Sequence, residues 1–307
     1  MQENAVWFLF STHIAVEDGP AAPPTFALVF ISLQRAMIQT VPIINNKGGV
    51  GKTTTTVNLA AGLGREGHRV LVVDLDSQGS ASLALGIERD DLEPSTAAVL
   101  FGECEVADAV RPTATRNVNV LPGSLRLADT DTKLSSANGR EQRLRERLAT
   151  IKDDYDTILV DCAPSTSLLT INALVAADAF IIPVAPSYLS LEGVVSLGEV
   201  VKNVRMSLGE AAPVLGVLLT MVDRDDQQTR SIIDEVRNHY GGKVFDVEVK
   251  RDPAIEEAPT HGQSIFDYAP QSQGAAQYQA LVQEVVDRFD RYGSVYSTVR
   301  EKQPSRS

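Results

Sequence analysis

The stretch at residues 41–58, VPIINNKGGVGKTTTTVN, constrains this chain more than any other. An apolar run ends in a glycine-rich turn, and a helix-forming segment begins at about Gly51. Strand, tight turn and helix in that order build a loop that can turn its N–H groups onto a phosphate. Gly48, Gly49 and Gly51 flank Val50 and lack a Cβ, so the backbone can turn sharply and come close to an anion. The helix beyond contributes its positive end. Lys52 can reach β- and γ-phosphates as a point charge. The Thr53 hydroxyl can ligate Mg²⁺, which prefers oxygen ligands and keeps some waters. Thr54 can donate a further hydrogen bond to phosphate. The general pattern GxxxxGK[ST] fits Asn46 to Thr53 only if its first glycine is waived. The alternative is the glycine-rich turn of a dinucleotide-binding fold, which has no use for Lys-Thr at the helix start.

Two apolar runs end in carboxylates. Residues 69–76, RVLVVDLD, read as a strand buried on both faces, because the apolar run is continuous rather than alternating. Ligands of parallel sheets sit at the carboxyl ends of strands. Asp74 is therefore expected near Mg²⁺, through water, and Asp76 is expected to orient an attacking water. The alternative is that either acid merely caps the next helix. Residues 155–165, YDTILVDCAPS, form the second such strand, with Asp161 at its end. Cys162 has no histidine nearby in sequence, so it reads as a small buried residue rather than a nucleophile.

Strand and helix patterns alternate along the rest of the chain. Strands are expected near 118–121, 158–161, 180–184, 214–221 and 243–249. Helices are expected from the loop to about 66 and near 140–151, 168–177, 191–208, 229–240 and 275–292. This alternation predicts an α/β fold in a single domain: a doubly wound, mostly parallel sheet with helices on both faces. The 307 residues, 43% of them hydrophobic, suffice for a substantial core.

KGGVGKTTT resembles the deviant Walker A motif of the ParA/MinD family of P-loop ATPases. Further segments resemble the same family, closest to its ParA/Soj partitioning members. Residues 74–81, DLDSQGSA, are similar to DxDPQGNA, with Ser77 where proline is usual. Residues 161–165, DCAPS, resemble the Walker B segment DCPPS, with Ala163 in place of the first proline. Residues 180–193, the EEAPTHG stretch at 256–262, and 267–278 match in turn, so the resemblance covers about 37–291. It implies binding of ATP with Mg²⁺ and slow hydrolysis in a homodimer formed on ATP binding. Thr53, Asp74 and Asp161 would place the metal, and Asp76 would serve hydrolysis beside Lys52. Lys47 would reach across to the partner's nucleotide. The implied role is partitioning of a plasmid, a chromosome or another large cargo, stimulated by a ParB-like adaptor.

ParA proteins bind DNA without sequence preference through basic surface residues. Here the segment 223–230 reads DRDDQQTR, keeping one arginine and adding acids, and 249–259 reads VKRDPAIEEAP. Ala254 stands for the second arginine there, Lys250 for a proline near adenine, and Asp252 for an asparagine. The candidates left for phosphate contact are Arg224, Arg230, Arg237, Lys243, Lys250 and Arg251. The alternative function is a regulatory nucleotide-binding module that acts through protein contacts and hardly binds DNA. The net charge of −12 gives no compositional argument for nucleic acid.

The polar tail from Val295, with Pro304, lacks the amphipathic face that a membrane-binding helix requires. No apolar run is long enough to span a bilayer. Cys104 and Cys162 make neither a disulfide framework nor an iron–sulfur pattern, which suits a reducing cytoplasm. Residues 1–36 carry two apolar bursts separated by prolines and lack the basic start of a signal peptide. They read either as a tether or as a disordered leader with Met37 as the natural first residue.

Overall fold

The computed structural model describes residues 39–209 and 211–300. The readings of residues 1–36 and of the extreme C-terminus therefore lie outside the described residues. β1 (Thr40–Ile43) leads into the glycine-rich turn and α1 (Lys52–Arg65). β2 (Val70–Leu75) follows, then the short helices α2 (Ser80–Ala84), α3 (Thr96–Phe101) and α4 (Val106–Ala109). Next come β3 (Arg111–Pro112), β4 (Val118–Leu121), α5 (Thr130–Lys133) and α6 (Arg143–Leu148). β5 (Thr157–Cys162), α7 (Leu168–Ala176), β6 (Phe180–Val184) and α8 (Tyr188–Leu208) continue the alternation. The chain then forms β7 (Val214–Val222), α9 (Gln227–Tyr240), β8 (Val244–Lys250), α10 (Pro253–Glu257), α11 (Ile265–Tyr268) and α12 (Gln273–Arg300).

The strands make one sheet in the order β3-β4-β2-β5-β1-β6-β7-β8, parallel throughout except for β3. Every residue of β2 and β5 is buried, which explains their unbroken apolar runs. The period-2 geometry of a strand splits them between two cores. Leu71 and Val73 face a core shared with α3, α7 and α8, while Val70 and Val72 face one shared with α1 and α12. The expected doubly wound α/β sheet with helices on both faces is thus the fold observed. Each expected strand is present within a few residues of its position.

The expected charged helix at 140–151 is shorter, at 143–148. The helices α2, α3, α4 and α5, of four to six residues, were not anticipated. So short a helix shows barely one turn of periodicity, and its stability comes from tertiary packing rather than propensity.

α12 is locked onto the sheet by one buried cation. The Arg288 guanidinium donates to the carbonyls of Leu215, Lys243 and Val244 at 2.8–3.0 Å and to Glu284 at 2.8 Å. It also lies 3.9 Å from the centroid of the Phe245 ring. Glu284 in turn accepts from the N–H groups of Asp246 and Val247. Arg288→Ala leaves these carbonyls and the Glu284 carboxylate without their cation. It is expected to cost about 3 kcal/mol, read as a lower urea midpoint at unchanged slope.

Candidate nucleotide site

The loop between β1 and α1 is held from three directions. The Asn45 side chain, fully buried, donates to the Pro183 carbonyl at 2.8 Å and accepts from the Lys47 N–H at 2.9 Å. The Thr220 hydroxyl of β7 donates to the Val50 carbonyl at 2.9 Å. The Lys52 ammonium donates to the Lys47 carbonyl at 2.9 Å. Gly49 and Gly51 adopt φ of 71° and 81°, a left-handed conformation that side chains rarely adopt. A Cβ at Gly48 or Gly49 would meet nothing within 4 Å, so the loop rims open space rather than packing against the fold. An anion placed there meets the start of α1 and the Lys52 charge.

The carboxylates gather below the loop, at the carboxyl ends of adjacent strands. Asp74 and Asp161 are register partners, and both are fully buried. Asp161 accepts from the Thr53 hydroxyl at 2.7 Å and from the Thr56 hydroxyl at 3.2 Å. Asp74 accepts from the N–H and hydroxyl of Ser82 at 2.9 and 2.7 Å, and from the Asp76 N–H at 3.0 Å. Ser82 lies in the first turn of α2, so these bonds tie that helix to the end of β2. Asp76 is half-buried, and one of its oxygens accepts from the Gln78 N–H at 3.0 Å. Its charge reaches Lys52 and Asp161.

Burial pushes the Asp161 and Asp74 carboxyls above the ordinary carboxylate range, and the Asp74 charge adds to the effect at Asp161. Burial lowers the Lys52 pKa, opposed by the Asp161 charge. Two close buried acids favour retaining a proton until a cation takes its place. Among the described residues, no group of three or more His, Cys, Asp or Glu side chains forms a metal cage. The donor set is instead a hydroxyl and two carboxylates beside an open loop, which fits a magnesium ion shared with phosphate oxygens and water. Cys162 is buried with its thiol pKa raised by burial, and Sγ lies 3.8 Å from the Val160 carbonyl oxygen, as expected of a packing residue.

Beyond the loop lies a cavity of about 280 Å³ that begins at Gly51 and Thr54. Its walls come from the ends of β7 and β8, from α10 and from Tyr278 of α12. Met221 on this wall has φ of 52°, an uncommon conformation for a bulky side chain.

The family model described as an AAA domain matches residues 38–214. The sporulation initiation inhibitor protein Soj of Bacillus subtilis is 42% identical over 245 residues, covering 80% of this chain and 97% of that protein. The chain belongs to the ParA/MinD family of P-loop ATPases. Within that family, the chromosome partitioning protein ParA of Caulobacter vibrioides is 37% identical over 253 residues, 82% of this chain and 95% of that one. Among solved structures, cobyrinic acid a,c-diamide synthase of Mycobacterium smegmatis, with bound ADP and magnesium, superposes with a TM-score of 0.72 at 30% identity. That match covers 83% of this chain and 96% of the synthase. The septum site-determining protein MinD of Pyrococcus horikoshii, complexed with Mg-ADP, gives 0.68 at 27% identity, over 81% and 96% of the two chains.

Most of the six basic candidates for DNA contact are already engaged. Arg224 and Arg237 share the nearly buried Glu248, at 2.5–2.8 Å and 3.0 Å. Arg230 donates to the Arg224 carbonyl, and the Lys243 ammonium lies 3.4 Å from the Val214 carbonyl. Only Lys250 and Arg251 have side chains without such partners among the described residues, and both line the cavity. Two of the added acids are helix caps. Asp226 accepts from the Thr229 N–H at the start of α9, and Asp252 from the Ala254 N–H at the start of α10.

Sequence reasoning missed Asn45, Thr220 and Ser82, which fix the loop and Asp74. The legible signal for Asn45 is an amide at the end of an apolar strand, two residues before a glycine turn, where such side chains bond local backbone. Thr220 and Ser82 act across 170 and 8 residues, and no local pattern marks them.

Proposed function

We propose that this protein is a dimerising switch that binds ATP with Mg²⁺, hydrolyses it slowly, and partitions or positions DNA or another large cargo. The observation that carries the reading is the 2.7 Å bond from Thr53 to the buried Asp161, directly beneath a loop that rims open space. A hydroxyl and a carboxylate so joined can place a magnesium ion against bound phosphates, with Asp74 as a more distant partner. Gly48 to Thr54 wrap the phosphates, Lys52 neutralises them, and Asp76 orients the water. Lys47 of a second copy completes the site, which couples dimerisation to ATP binding. The magnesium supplies charge neutralisation at the transferring phosphate. Hydrolysis, stimulated by a ParB-like adaptor, releases the dimer from its surface. The chromosome-partitioning role in the name of the Caulobacter vibrioides ParA relative supports partitioning, and the expected place is the cytoplasm, on the nucleoid where DNA is bound. Among the described residues no helix is long and apolar enough to cross a membrane.

The second reading is a regulatory module that acts through protein contacts. The engagement of Arg224 and Arg237 by Glu248 favours it, because an arginine already paired gains less from a phosphate. Binding to random-sequence duplex DNA with ATP, with ADP and with neither, across a salt series, separates the two. Binding only with ATP, falling steeply with salt, supports the partitioning switch. Absence of DNA binding in every state, with hydrolysis intact, moves the protein to the second class.

A further inference from the structure

We propose that Ser82 is a positioning residue for hydrolysis, whose hydroxyl clamps Asp74 and through it sets where Asp76 stands. The inference deepens the nucleotide reading above and rests on it. Ser82, Asp74 and Gly123 are all buried, so each polar group among them must find its partner within the protein. The Ser82 hydroxyl donates to Asp74 Oδ2 at 2.7 Å and accepts from the Gly123 N–H at 3.0 Å. The Ser82 N–H donates to the same Oδ2 at 2.9 Å. The other carboxylate oxygen, Oδ1, accepts from the Asp76 N–H at 3.0 Å. One hydroxyl thus joins the turn after β4 to the carboxylate that holds the Asp76 backbone. That turn also lies against both acids. A Cβ on Gly123 would come within 2.6 Å of the Asp76 carbonyl oxygen and 2.7 Å of the Asp74 carboxyl.

Asp76 depends on this clamp because its other bonds are local. Its side chain accepts from the Gln78 N–H and its carbonyl from the Gly79 N–H, both at 3.0 Å and both within the loop between β2 and α2. Such bonds shape the loop and travel with it, without fixing it to the sheet. The bond to Asp74 is the one that reaches back to the strand end. A carboxylate that orients an attacking water must hold its place closely, since a displacement of about 1 Å can cost about 10²-fold. Without the hydroxyl, Asp74 Oδ2 keeps one donor of two, and the Gly123 N–H keeps none. The carboxylate is then free to turn, and the Asp76 loop with it. The phosphate loop has separate anchors at Asn45 and Thr220, so the loss falls on turnover and not on nucleotide affinity.

The test compares the full chain with its Ser82→Ala, Ser82→Cys and Ser82→Thr variants. Cysteine nearly keeps the volume but is a weak donor and acceptor, whereas threonine keeps the hydroxyl. Ser82→Ala and Ser82→Cys are expected to lower kcat about 10- to 100-fold, the range for removing a group that orients a site carboxylate. Their Kd for Mg-ATP should stay within about twofold of the unmodified value, well under the tenfold that 1.4 kcal/mol would bring. Ser82→Thr is expected to recover most of kcat. In the nucleotide-free chain, hydrogen exchange followed by mass spectrometry should quicken in residues 75–80 and 121–127 for alanine and cysteine, and not for threonine. Full turnover by Ser82→Cys, or parallel losses of kcat and affinity in Ser82→Ala, would overturn the positioning role and leave the ATPase reading intact. Unchanged exchange at residues 75–80 in Ser82→Ala would show that Asp76 is held by other means, and overturns it too. Failure of the unmodified protein to bind Mg-ATP sinks the nucleotide reading itself, a result separate from the exchange measured without nucleotide.

Discussion

Replacing Lys52 with alanine is expected to remove nucleotide binding and turnover together. The side chain is 7% exposed, and its ammonium donates to the Lys47 carbonyl across the mouth of the loop. Burial penalises its charge, and the nearby carboxylates only partly offset this. A phosphate brings negative charge into the same poorly hydrated space, where one cation is worth far more than in water. The loop keeps its other anchors at Asn45 and Thr220, so the variant should fold. Affinity for Mg-ATP by titration calorimetry and phosphate release should each fall about 10²–10³-fold. Tight binding by Lys52→Ala would show that the phosphates lie elsewhere.

That expectation could be written from the sequence, because the order strand, glycine turn, Lys-Thr, helix is a local signal. The strand-end acids were equally legible, since continuous apolar runs ending in aspartate mark the ligand edge of a parallel sheet. The division of labour between them was not. Asp161 meets Thr53 and Thr56, while Asp74 turns to Ser82, and that choice depends on where α1 and α2 pack. The ion pairs within the basic surface were hidden for the same reason. Arg224, Arg237 and Glu248 lie up to 24 residues apart, and only the pairing of β7 with β8 and the packing of α9 bring them together. Local patterns report what a residue can do, and tertiary contacts decide whether it is free to do it.

Lys47 is the residue for which that freedom matters most. Its backbone is fixed on both sides, with the N–H bonded to Asn45 and the carbonyl to Lys52. Its ammonium makes no hydrogen bond or ion pair among the described residues. The side chain is therefore dispensable for the shape of the loop and available to a site beyond it. Lys47→Ala is expected to bind Mg-ATP as the unmodified protein does and to lose about 10³-fold in turnover, the scale set by a cation supplied in trans to phosphoryl transfer. Asp76→Ala should likewise bind ATP and fail to hydrolyse it. Mixing the two inactive proteins discriminates between action within and across subunits. In a mixed dimer, the site on the Lys47→Ala subunit keeps its own Asp76 and receives Lys47 from its partner. The other site lacks both. With random exchange of equal amounts, half of the dimers are mixed and half of their sites are complete, so activity should return to about a quarter of normal. If Lys47 served its own subunit, every site in the mixture would lack one of the two groups and activity would stay at the level of the separate variants.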